Sequence, residues 1–584
     1  MPGDSRLRNL VWADDETLLM EVSSAYSAGP RSQHQYEAAR IIAADADGGD
    51  MRMLLMDGTR SLVTGADLLA VRTPEPKTVL MASLDFAPTR YTKEIGSRLR
   101  GGRKDDGWVL SLFEVDTRTG KGRRLETGGP YTTDWIVDDG QAIARVEWEP
   151  ERKLFRILRK NGQAWDEIHR QEDGERLAVY GSTKDKSALV AVGAIGRKRT
   201  AAWTIPVDGS GPRILLDDPD YDVESVILDE YTRTPIGAWI GGSRSEMRWF
   251  DSDAEARHKA LTKSFGGQTV AVIAQANDRS RVIARVSTPS TPAIYYLVDF
   301  VKGKADIVGE DYPVLANVPM GEVRVISYRS RDGVNIPGYL TLPASAQQLN
   351  LPLVVMPHGG PESRDDLVFD WWAQFMASRG YAVLQPQFRG STGFGEAFRL
   401  AGYRQWGGIM QNDVTDGVKA LIDQGLVDPR RICIVGASYG GYAALAGAAF
   451  TPDLYACAVS VNGISDLPGM LGNAEKRGGE ESNALAYWGQ HIGSAHDPAV
   501  IANSPFRAAE RVQAPVLLIH GVNDTVVPIM QSQLMAKALG DAGRKCTFVQ
   551  LEGEDHWLSR SATRIRLLNE LDVFLARYLK APAQ

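Results

Sequence analysis

The residues best suited to chemistry form the run Gly-Ala-Ser-Tyr-Gly-Gly at 436–441. An apolar stretch precedes this run and a stretch of small residues follows it, so the sequence predicts a strand, a sharp turn and a helix in that order. A serine at such a turn is presented as a nucleophile, and the residues two before and two after it must be small because the backbone crowds them. G-x-S-x-G also arises by chance in a chain with 58 glycines, so it is the flanking strand and helix that favour Ser438 as a nucleophile.

A base and an acid for this serine are found further along the chain. A serine hydroxyl is a weak nucleophile near neutral pH and needs a base that a carboxylate orients, in the chain order Ser, Asp, His for sheets of this kind. Asp524 comes just after the predicted strand 516–519, and His556 comes just after the predicted strand 547–551. Because the carboxyl ends of parallel strands share one edge of a sheet, the pattern predicts a Ser438–Asp524–His556 triad.

Neighbouring residues leave alternatives for the acid and the base. Glu554 and Asp555 directly precede His556 and are the rival acids. His520 ends a predicted strand, where a histidine is expected to pack or to bond backbone groups beneath the site.

Acyl transfer also requires donors for the oxyanion that develops on the substrate. The backbone N–H of Tyr439, next to the nucleophile, is the first predicted donor. The loop 357–361, Pro-His-Gly-Gly-Pro, follows the third predicted strand of this half and is expected to supply the second, since two glycines let backbone amides approach a substrate closely. A plain Gly-Pro turn is the alternative interpretation of this loop.

Metal and cofactor chemistry has no support in the sequence. No HExxH or Walker A motif is present, and His491 and His496 lie five residues apart without a third ligand nearby. Cys433, Cys457 and Cys546 match no zinc spacing, and a disulfide framework is not expected. The sequence therefore predicts a catalyst that works without a cofactor or metal.

The C-terminal half, from residue 321, alternates strands with helices. This pattern predicts a second domain at 321–584 with a mostly parallel, eight-stranded sheet covered on both faces. The predicted strands are 323–328, 337–342, 353–356, 382–386, 432–435, 456–461, 516–519 and 547–551.

The N-terminal half, residues 1–320, consists of short apolar runs separated by polar turns. Asp/Gly-rich turns recur about every 40–50 residues, a period typical of four-stranded propeller blades. Six units can be counted, and a longer first gap suggests an inserted loop at 90–107. The sequence predicts an all-β propeller of six blades, shortened from seven if a blade precedes the chain; a pair of β-sandwiches is the alternative.

Composition limits the partners and the compartment. The 584 residues carry 66 Lys and Arg against 73 Asp and Glu, a formal net charge of −7, which disfavours nucleic acid as a partner. No apolar run approaches the length of a membrane span, and residues 1–17 lack the apolar core of a signal peptide. The chain as written is expected to be cytoplasmic, or periplasmic or secreted if a longer natural form carries a signal peptide.

Several motifs together resemble the prolyl oligopeptidase family of serine peptidases, with the closest similarity to its acylaminoacyl-peptidase and dipeptidyl-peptidase-like branch. The stretches that carry the resemblance are IPGYLTLP at 336–343, HGGPESR at 358–364, FRGSTGFG at 388–395, GASYGGYAAL at 436–445, HGVNDTVVPIMQS at 520–532 and GEDHW at 553–557.

The resemblance implies a propeller above an α/β-hydrolase domain and the triad already predicted. It also implies that the backbone N–H of Gly360 is the second oxyanion donor beside that of Tyr439. His358 occupies the position at which some relatives carry a tyrosine donor, so it is predicted to be near the substrate. Tyr487 and Trp488 correspond to the loop that builds the primary specificity pocket, where packing is an equally open role.

The predicted function is that of a serine peptidase acting on short peptides, with acylaminoacyl or dipeptidyl release, through an acyl-enzyme. An esterase with the same triad is the first alternative, and an inactive peptide-binding scaffold is the second. Short peptides are the expected partners, with no nucleic acid and no membrane, and a homo-oligomer is possible.

Overall fold

The computed structural model describes residues 5–27, 35–56, 61–86, 108–172, 174, 176–344, 349–478 and 483–580. These residues divide into two compact units. Unit 1 comprises 1–240 and 246–250, and unit 2 comprises 241–245 and 251–584. The domain boundary predicted after residue 320 stays a prediction, and the inserted loop predicted at 90–107 lies outside the described residues.

In the part of unit 1 that the structure describes there are five small antiparallel sheets, four of four strands and one of three. They are β1 Arg6–Trp12, β2 Thr17–Ser27, β3 Gln35–Asp45 and β4 Arg52–Met53; β5 Ser61–Ala70, β6 Thr78–Phe86, β7 Trp108–Asp116 and β8 Gly122–Glu126; β9 Thr132–Asp138, β10 Gln141–Glu149, β11 Leu154–Asn161 and β12 Ala164–Glu172; β13 Ala178–Ser182, β14 Ala188–Gly193, β15 Ala201–Pro206 and β16 Arg213–Leu216; and β17 Val223–Leu228, β18 Pro235–Ile240 and β19 Glu246–Trp249.

Side-chain hydrogen bonds set the turns between these strands. At the turn between β7 and β8, the Asp116 carboxylate accepts hydrogen bonds from the backbone N–H groups of Arg118 and Thr119, at 2.8 and 3.1 Å. Gly120 completes the turn with φ +72°, a conformation that suits glycine. This Asp/Gly-rich turn, one of those that marked the repeat in the sequence, is therefore held by hydrogen bonds between its aspartate side chain and nearby backbone N–H groups.

Unit 2 adds a sixth antiparallel sheet, β20 Thr269–Gln275, β21 Arg281–Thr288, β22 Thr291–Asp299 and β23 Lys304–Glu310. The N-terminal part of the chain thus has the six-bladed β-propeller arrangement that the sequence predicts. A seventh blade ahead of the chain stays a hypothesis.

The rest of unit 2 is an eight-stranded sheet with helices. The strands are β24 Glu322–Arg329, β25 Asn335–Leu342, β26 Leu351–Val355, β27 Ala382–Pro386, β28 Val427–Ala437, β29 Cys457–Val461, β30 Val516–Gly521 and β31 Cys546–Leu551, in the order β24-β25-β27-β26-β28-β29-β30-β31. All pairs from β27 onward in this order are parallel, and the two pairs that β25 makes are antiparallel. This confirms the predicted α/β-hydrolase sheet.

The described residues of unit 2 form ten helices: α1 Ser252–Ser264, α2 Trp371–Ser378, α3 Glu396–Leu400, α4 Ile409–Asp423, α5 Tyr439–Phe450, α6 Leu467–Gly478, α7 Asn483–Ile492, α8 Pro498–Ala502, α9 Met530–Asp541 and α10 Ser561–Leu579. Short 3₁₀ helices in the chain lie at Pro150–Arg152, Pro313–Leu315 and Pro505–Arg511. None of the helices in the described ranges is long and apolar enough to cross a membrane.

The sheet separates two hydrophobic cores, which explains why its central strands are apolar throughout. Alternate residues of β28 point to opposite faces, so Ile432 and Ile434 join the core that contains α4 and α5. Cys433 and Val435 join the other core, which contains α2 and α10. The site-bearing strand ends are therefore held from both sides.

No disulfide framework was expected for the three cysteines, yet two of them form a disulfide. Cys433 and Cys457 are register partners in the parallel strands β28 and β29, with Cα atoms 4.6 Å apart, and form a disulfide. A sequence separation of 24 residues gave no sign of this pairing, because it depends on strand register. Cys546 is a free thiol, and burial raises its pKa to about 11.

Candidate active site

Ser438 occupies the sharp turn between β28 and α5. Its backbone has φ 59° and ψ −118°, in the half of conformational space that non-glycine residues rarely adopt. The backbone N–H of Ser438 donates to the Val461 carbonyl at the end of β29, 2.9 Å away, which holds the turn to the neighbouring strand. Backbone strain of this kind persists where surrounding contacts enforce it and is common at active sites.

The glycines beside Ser438 allow this turn to pack closely. A Cβ on Gly436 would collide with the Gly440 carbonyl. A Cβ on Gly440 would collide with the carbonyl of Pro357, in the loop 357–361. The small residues that the motif requires are therefore explained by contacts with backbone, which has little freedom to move.

Replacing Gly440 with alanine is expected to lower kcat/KM by about 100-fold, because the new methyl group displaces the 357–361 loop from the nucleophile. Steady-state hydrolysis of a chromogenic substrate checks this result. Gly540→Ala is the control, since a Cβ at this position in α9 meets no atom within 4 Å and alanine favours a helix. Equal activity of the two variants would contradict the steric explanation.

The carboxylate of Asp524 is buried and fully engaged. One oxygen accepts hydrogen bonds from the backbone N–H groups of Val526 and Val527, both at 2.8 Å, and the other accepts from Nδ1 of His556 at 2.7 Å. Burial by itself raises the pKa of Asp524, but the charge of His556 and the hydrogen bonds from His520 and His556 outweigh it and hold the pKa at about 2. Asp524 is therefore ionised near neutral pH.

The bond to Asp524 fixes which nitrogen of His556 is available for proton transfer. Because Nδ1 donates to the carboxylate, Nε2 is the nitrogen that can accept a proton. In the part of the chain that the structure describes, no hydrogen bond links the Ser438 hydroxyl to this ring. The structure thus joins the predicted acid and the predicted base directly, and Ser438 lies at the turn that follows β28.

The rival residues have other partners. Glu554 accepts hydrogen bonds from the backbone N–H groups of Asp555 and Ser559, both at 2.9 Å, and Asp555 accepts from that of Trp557 at 3.0 Å. Both carboxylates therefore order the turn that carries the base. His520 is fully buried and contacts the Ser532 hydroxyl and the Val527 carbonyl, at 2.7 and 3.0 Å, so it bonds a backbone group as expected.

The predicted oxyanion donors lie around the nucleophile. Tyr439 is the first residue of α5, so its N–H has no acceptor within the helix. On the facing loop, a Cβ placed on Gly359 would lie 3.5 Å from the Cβ of Ser438, and Gly360 has φ +118°. The loop that carries Gly360 therefore passes within contact distance of the serine.

His358 anchors this loop, and both of its ring nitrogens have protein partners. Nδ1 lies 2.7 Å from the Gly359 carbonyl and Nε2 lies 2.8 Å from the Ser391 hydroxyl, while the ring stacks on Phe388. Burial lowers the pKa of His358 to about 4, so the ring is neutral near pH 7. These contacts position the loop, and the substrate contact predicted for His358 stays a prediction.

Tyr487 and Trp488 lie together on α7. Trp488 is buried and packs against Trp406, with ring centroids 6.2 Å apart, so it belongs to the hydrophobic core. Tyr487 is half-buried, and its ring lies 4.3 Å from that of His491. The predicted specificity role stays a prediction for both residues.

Comparison with known proteins shows a match between the C-terminal half of the chain and a peptidase family. Residues 367–582 match the sequence model of the Prolyl oligopeptidase family. The matched stretch is a domain of this family, and it contains Ser438, Asp524 and His556. Together with this match, a relative that carries a peptidase name and covers 98% of the chain supports a serine-type peptidase.

Two relatives show how far the similarity extends. Dipeptidyl aminopeptidase BIII of Pseudoxanthomonas mexicana is 28% identical to this peptidase over 98% of the present chain and 84% of its own. The acylamino-acid-releasing enzyme of Homo sapiens is 26% identical over 62% of the present chain and 58% of its own.

Solved structures share the fold at low identity. A puromycin-hydrolyzing peptidase of Mycobacterium tuberculosis has a TM-score of 0.72 with 20% identity, covering 99% of this peptidase and 95% of that chain. An acylaminoacyl peptidase in complex with Z-Gly-Gly-Phe-chloromethyl ketone has a TM-score of 0.66 with 17% identity, covering 99% and 97%.

Sequence reasoning missed an ion cluster that begins one residue after the loop 357–361. Glu362 accepts a hydrogen bond from the Arg399 guanidinium at 2.5 Å and one from the Tyr403 hydroxyl at 3.2 Å. Nε2 of the buried His491 lies 2.9 Å from the same carboxylate, off the hydrogen-bond direction. Burial raises the pKa of Glu362, but His491 and Arg399 outweigh it and hold the pKa at about 2.

Replacing Glu362 with glutamine is expected to lower the free energy of unfolding at pH 7 by about 1–2 kcal/mol, since a partly buried charged hydrogen bond is lost. The pKa of Glu362 is lower in the folded chain than the ordinary value of 4.5, so its contribution is complete above pH 4.5 and disappears as pH falls towards 2. Urea unfolding at pH 7 and pH 3 should therefore show a smaller difference between wild type and variant at pH 3.

Glu322→Gln is the control for this comparison, because Glu322 pairs with Arg324 on the exposed surface. This substitution should leave the free energy of unfolding unchanged at pH 7 and at pH 3. If the difference in unfolding free energy between wild type and Glu362→Gln were larger at pH 3 than at pH 7, the ionised carboxylate would not be stabilised by these contacts.

Proposed function

We propose that this peptidase hydrolyses short peptides through a Ser438–His556–Asp524 triad and a covalent acyl-enzyme. The observation that carries the proposal is the 2.7 Å bond between His556 Nδ1 and the buried Asp524 carboxylate, together with the left-handed turn that presents Ser438. This combination supplies a nucleophile, a base of defined tautomer and an orienting charge.

In the first half of the reaction, Nε2 of His556 accepts the Ser438 hydroxyl proton while Oγ attacks the substrate carbonyl carbon. The electron pair of the carbonyl moves onto oxygen, where the N–H groups of Tyr439 and Gly360 stabilise the negative charge. As this intermediate collapses, the C–N bond breaks, and the imidazolium gives its proton to the leaving amine.

In the second half, water replaces the amine. His556 removes a proton from water as its oxygen attacks the acyl-enzyme ester, and the proton then passes to Ser438 Oγ as the ester bond breaks. The acid product leaves and the resting enzyme is restored. Asp524 stays ionised throughout and stabilises the imidazolium that forms twice in each cycle.

The names of the relatives suggest two activities, each of which removes a unit from the N-terminus of a peptide substrate. These names define the substrates to test. The relative named a dipeptidyl aminopeptidase matches 98% of this chain, which makes release of free dipeptides the first activity to examine. The relatives named acylamino-acid-releasing enzymes support release of an N-acylated residue as the second.

The test is hydrolysis of Ala-Ala-p-nitroanilide, N-acetyl-Ala-p-nitroanilide and p-nitrophenyl acetate, with mapping of a fluorophosphonate adduct by mass spectrometry. We expect cleavage of at least one anilide and an adduct on Ser438. Hydrolysis of the ester alone would favour the esterase. An adduct on another serine would overturn the triad, and absence of both hydrolysis and adduct would favour the binding scaffold.

A further inference from the structure

Asn462 lies where the segments of the proposed triad come together. It directly follows the last residue of β29 and is almost completely buried, with 1% of its surface exposed. Its backbone has φ +48°, a left-handed conformation that asparagine tolerates better than most residues do. No motif in the sequence singled it out.

The side-chain amide of Asn462 bridges two catalytic segments. Its Oδ1 accepts a hydrogen bond from the backbone N–H of Gly521 at 2.8 Å, at the end of the strand that leads to Asp524. Its Nδ2 donates to the carbonyls of His556 at 3.1 Å and Asp555 at 3.4 Å. The base is thus tied through its own main chain to the strand that leads to the acid.

The backbone around Asn462 reaches the third segment. The carbonyl of Val461, the preceding residue, accepts the hydrogen bond from the N–H of Ser438 at 2.9 Å. The N–H of Asn462 itself donates to the Ile519 carbonyl, also at 2.9 Å, which fixes the residue to β30. A two-residue stretch therefore contacts the nucleophile turn, the acid strand and the base.

We propose that Asn462 is a positioning residue that sets the main chain of His556 relative to the Ser438 turn. The inference rests on the proposed triad and adds a residue that acts through the base without touching the substrate. Only an amide supplies an acceptor and a two-proton donor at this length, and each of these groups has a backbone partner here. Aspartate keeps the shape of the side chain and loses the donor.

The expected effect is on the chemical step. Because a displacement of about 1 Å in a catalytic group can cost about 100-fold in rate, loss of the Nδ2 bonds should lower kcat by about 10- to 100-fold. Substrate binding does not use this residue, so KM should stay within about threefold of wild type.

The first test is Asn462→Asp, with Gln374→Glu as the matched control. Gln374 is also a buried amide, and it bonds the backbone in the same way: its Oε1 accepts from the N–H of Gly321 at 2.8 Å, and its Nε2 donates to the carbonyls of Gly321 and Pro289, both at 3.1 Å. Both substitutions convert an amide to a carboxylate and remove a donor to two carbonyls.

The readouts are kcat, KM and fluorophosphonate labelling under excess reagent. We expect Asn462→Asp to lower the labelling rate constant by about 10- to 100-fold while the final labelled fraction matches the folded fraction seen by circular dichroism. Gln374→Glu should leave the rate constant within about threefold of wild type. A merely structural role for Asn462 would reduce the labelled fraction and leave the rate constant unchanged.

Asn462→Gly provides a second variant if the buried carboxylate prevents folding, because glycine accepts the left-handed backbone and introduces no charge. The proposal is overturned if either folded variant labels at the wild-type rate, or if Gln374→Glu slows labelling as much. Failure of the triad itself is distinguishable, since wild-type protein would then carry no adduct on Ser438.

Discussion

Replacing Ser438 with alanine is expected to lower kcat for anilide hydrolysis by at least about 10⁴-fold, the scale seen when a triad nucleophile is removed. The reason is specific to this position, since the turn at Ser438 has φ 59° and its backbone N–H is held to the Val461 carbonyl. No neighbouring hydroxyl can take this place without rebuilding the turn. Residual activity should come only from binding and the oxyanion donors.

Steady-state kinetics with Ala-Ala-p-nitroanilide and N-acetyl-Ala-p-nitroanilide measure the loss. Ser378→Ala is the control, because that exposed serine is the last residue of α2 and its hydroxyl donates to the Phe375 carbonyl at 2.7 Å. It should retain wild-type rates and fluorophosphonate labelling. Undiminished anilide hydrolysis by Ser438→Ala protein would rule out this serine as the nucleophile.

Local patterns were sufficient to predict the catalytic sheet. Each predicted strand from 323 to 551 overlaps an observed one, because buried parallel strands are continuous apolar runs bounded by glycine-rich or polar turns. The same reasoning linked Asp524 to His556, since both follow neighbouring strands and therefore emerge at one edge. Here sequence order and spatial order coincide.

Contacts between segments far apart in the chain could not be predicted from the sequence patterns. The Cys433–Cys457 pairing depends on the register of β28 and β29, which no local feature encodes. The ion pair of Glu362 and Arg399 joins residues 37 apart through the packing of a loop on a helix. Asn462 gave only a weak signal, an asparagine just after a buried strand, where a left-handed backbone is common.

The environment of a side chain was equally hidden where a motif suggested a role. His358 lies in the loop expected to meet the substrate, yet stacking on Phe388 and bonds to Gly359 and Ser391 enclose its ring. The motif predicted the close approach of this loop to Ser438, because its glycines control backbone approach, a local property. It could not show which way the histidine points, since that depends on residues 30 positions away.

Replacing Asp524 with asparagine is expected to lower kcat by about 10⁴-fold. The wild-type carboxylate accepts a hydrogen bond from Nδ1 of His556, so Nε2 is left to take the serine proton. The backbone N–H groups of Val526 and Val527 hold one oxygen of residue 524, so the amide nitrogen of asparagine must face His556. That nitrogen donates to Nδ1, which places the ring proton on Nε2 and removes the base.

The pH dependence of the rate and of folding distinguishes a change of His556 tautomer from a general loss of structure. The pKa of Asp524 is about 2 in the folded chain against 3.8 ordinarily, so its stabilising bond is complete above pH 3.8 and is lost as pH falls towards 2. Between pH 4 and 9 the wild-type rate profile should therefore contain no ionisation of Asp524, and the Asp524→Asn protein should stay folded at pH 7.

Rate profiles from pH 4 to 9 and circular dichroism of both proteins provide the measurement, with Asp541→Asn as the control. Asp541 carries an exposed ion pair with Lys537 on α9, and its replacement should change neither kcat nor folding. If folded Asp524→Asn protein kept more than about one-tenth of the wild-type kcat, the tautomer argument would fail. His556 would then have to be oriented by another group, and the 2.7 Å bond would have only a structural role.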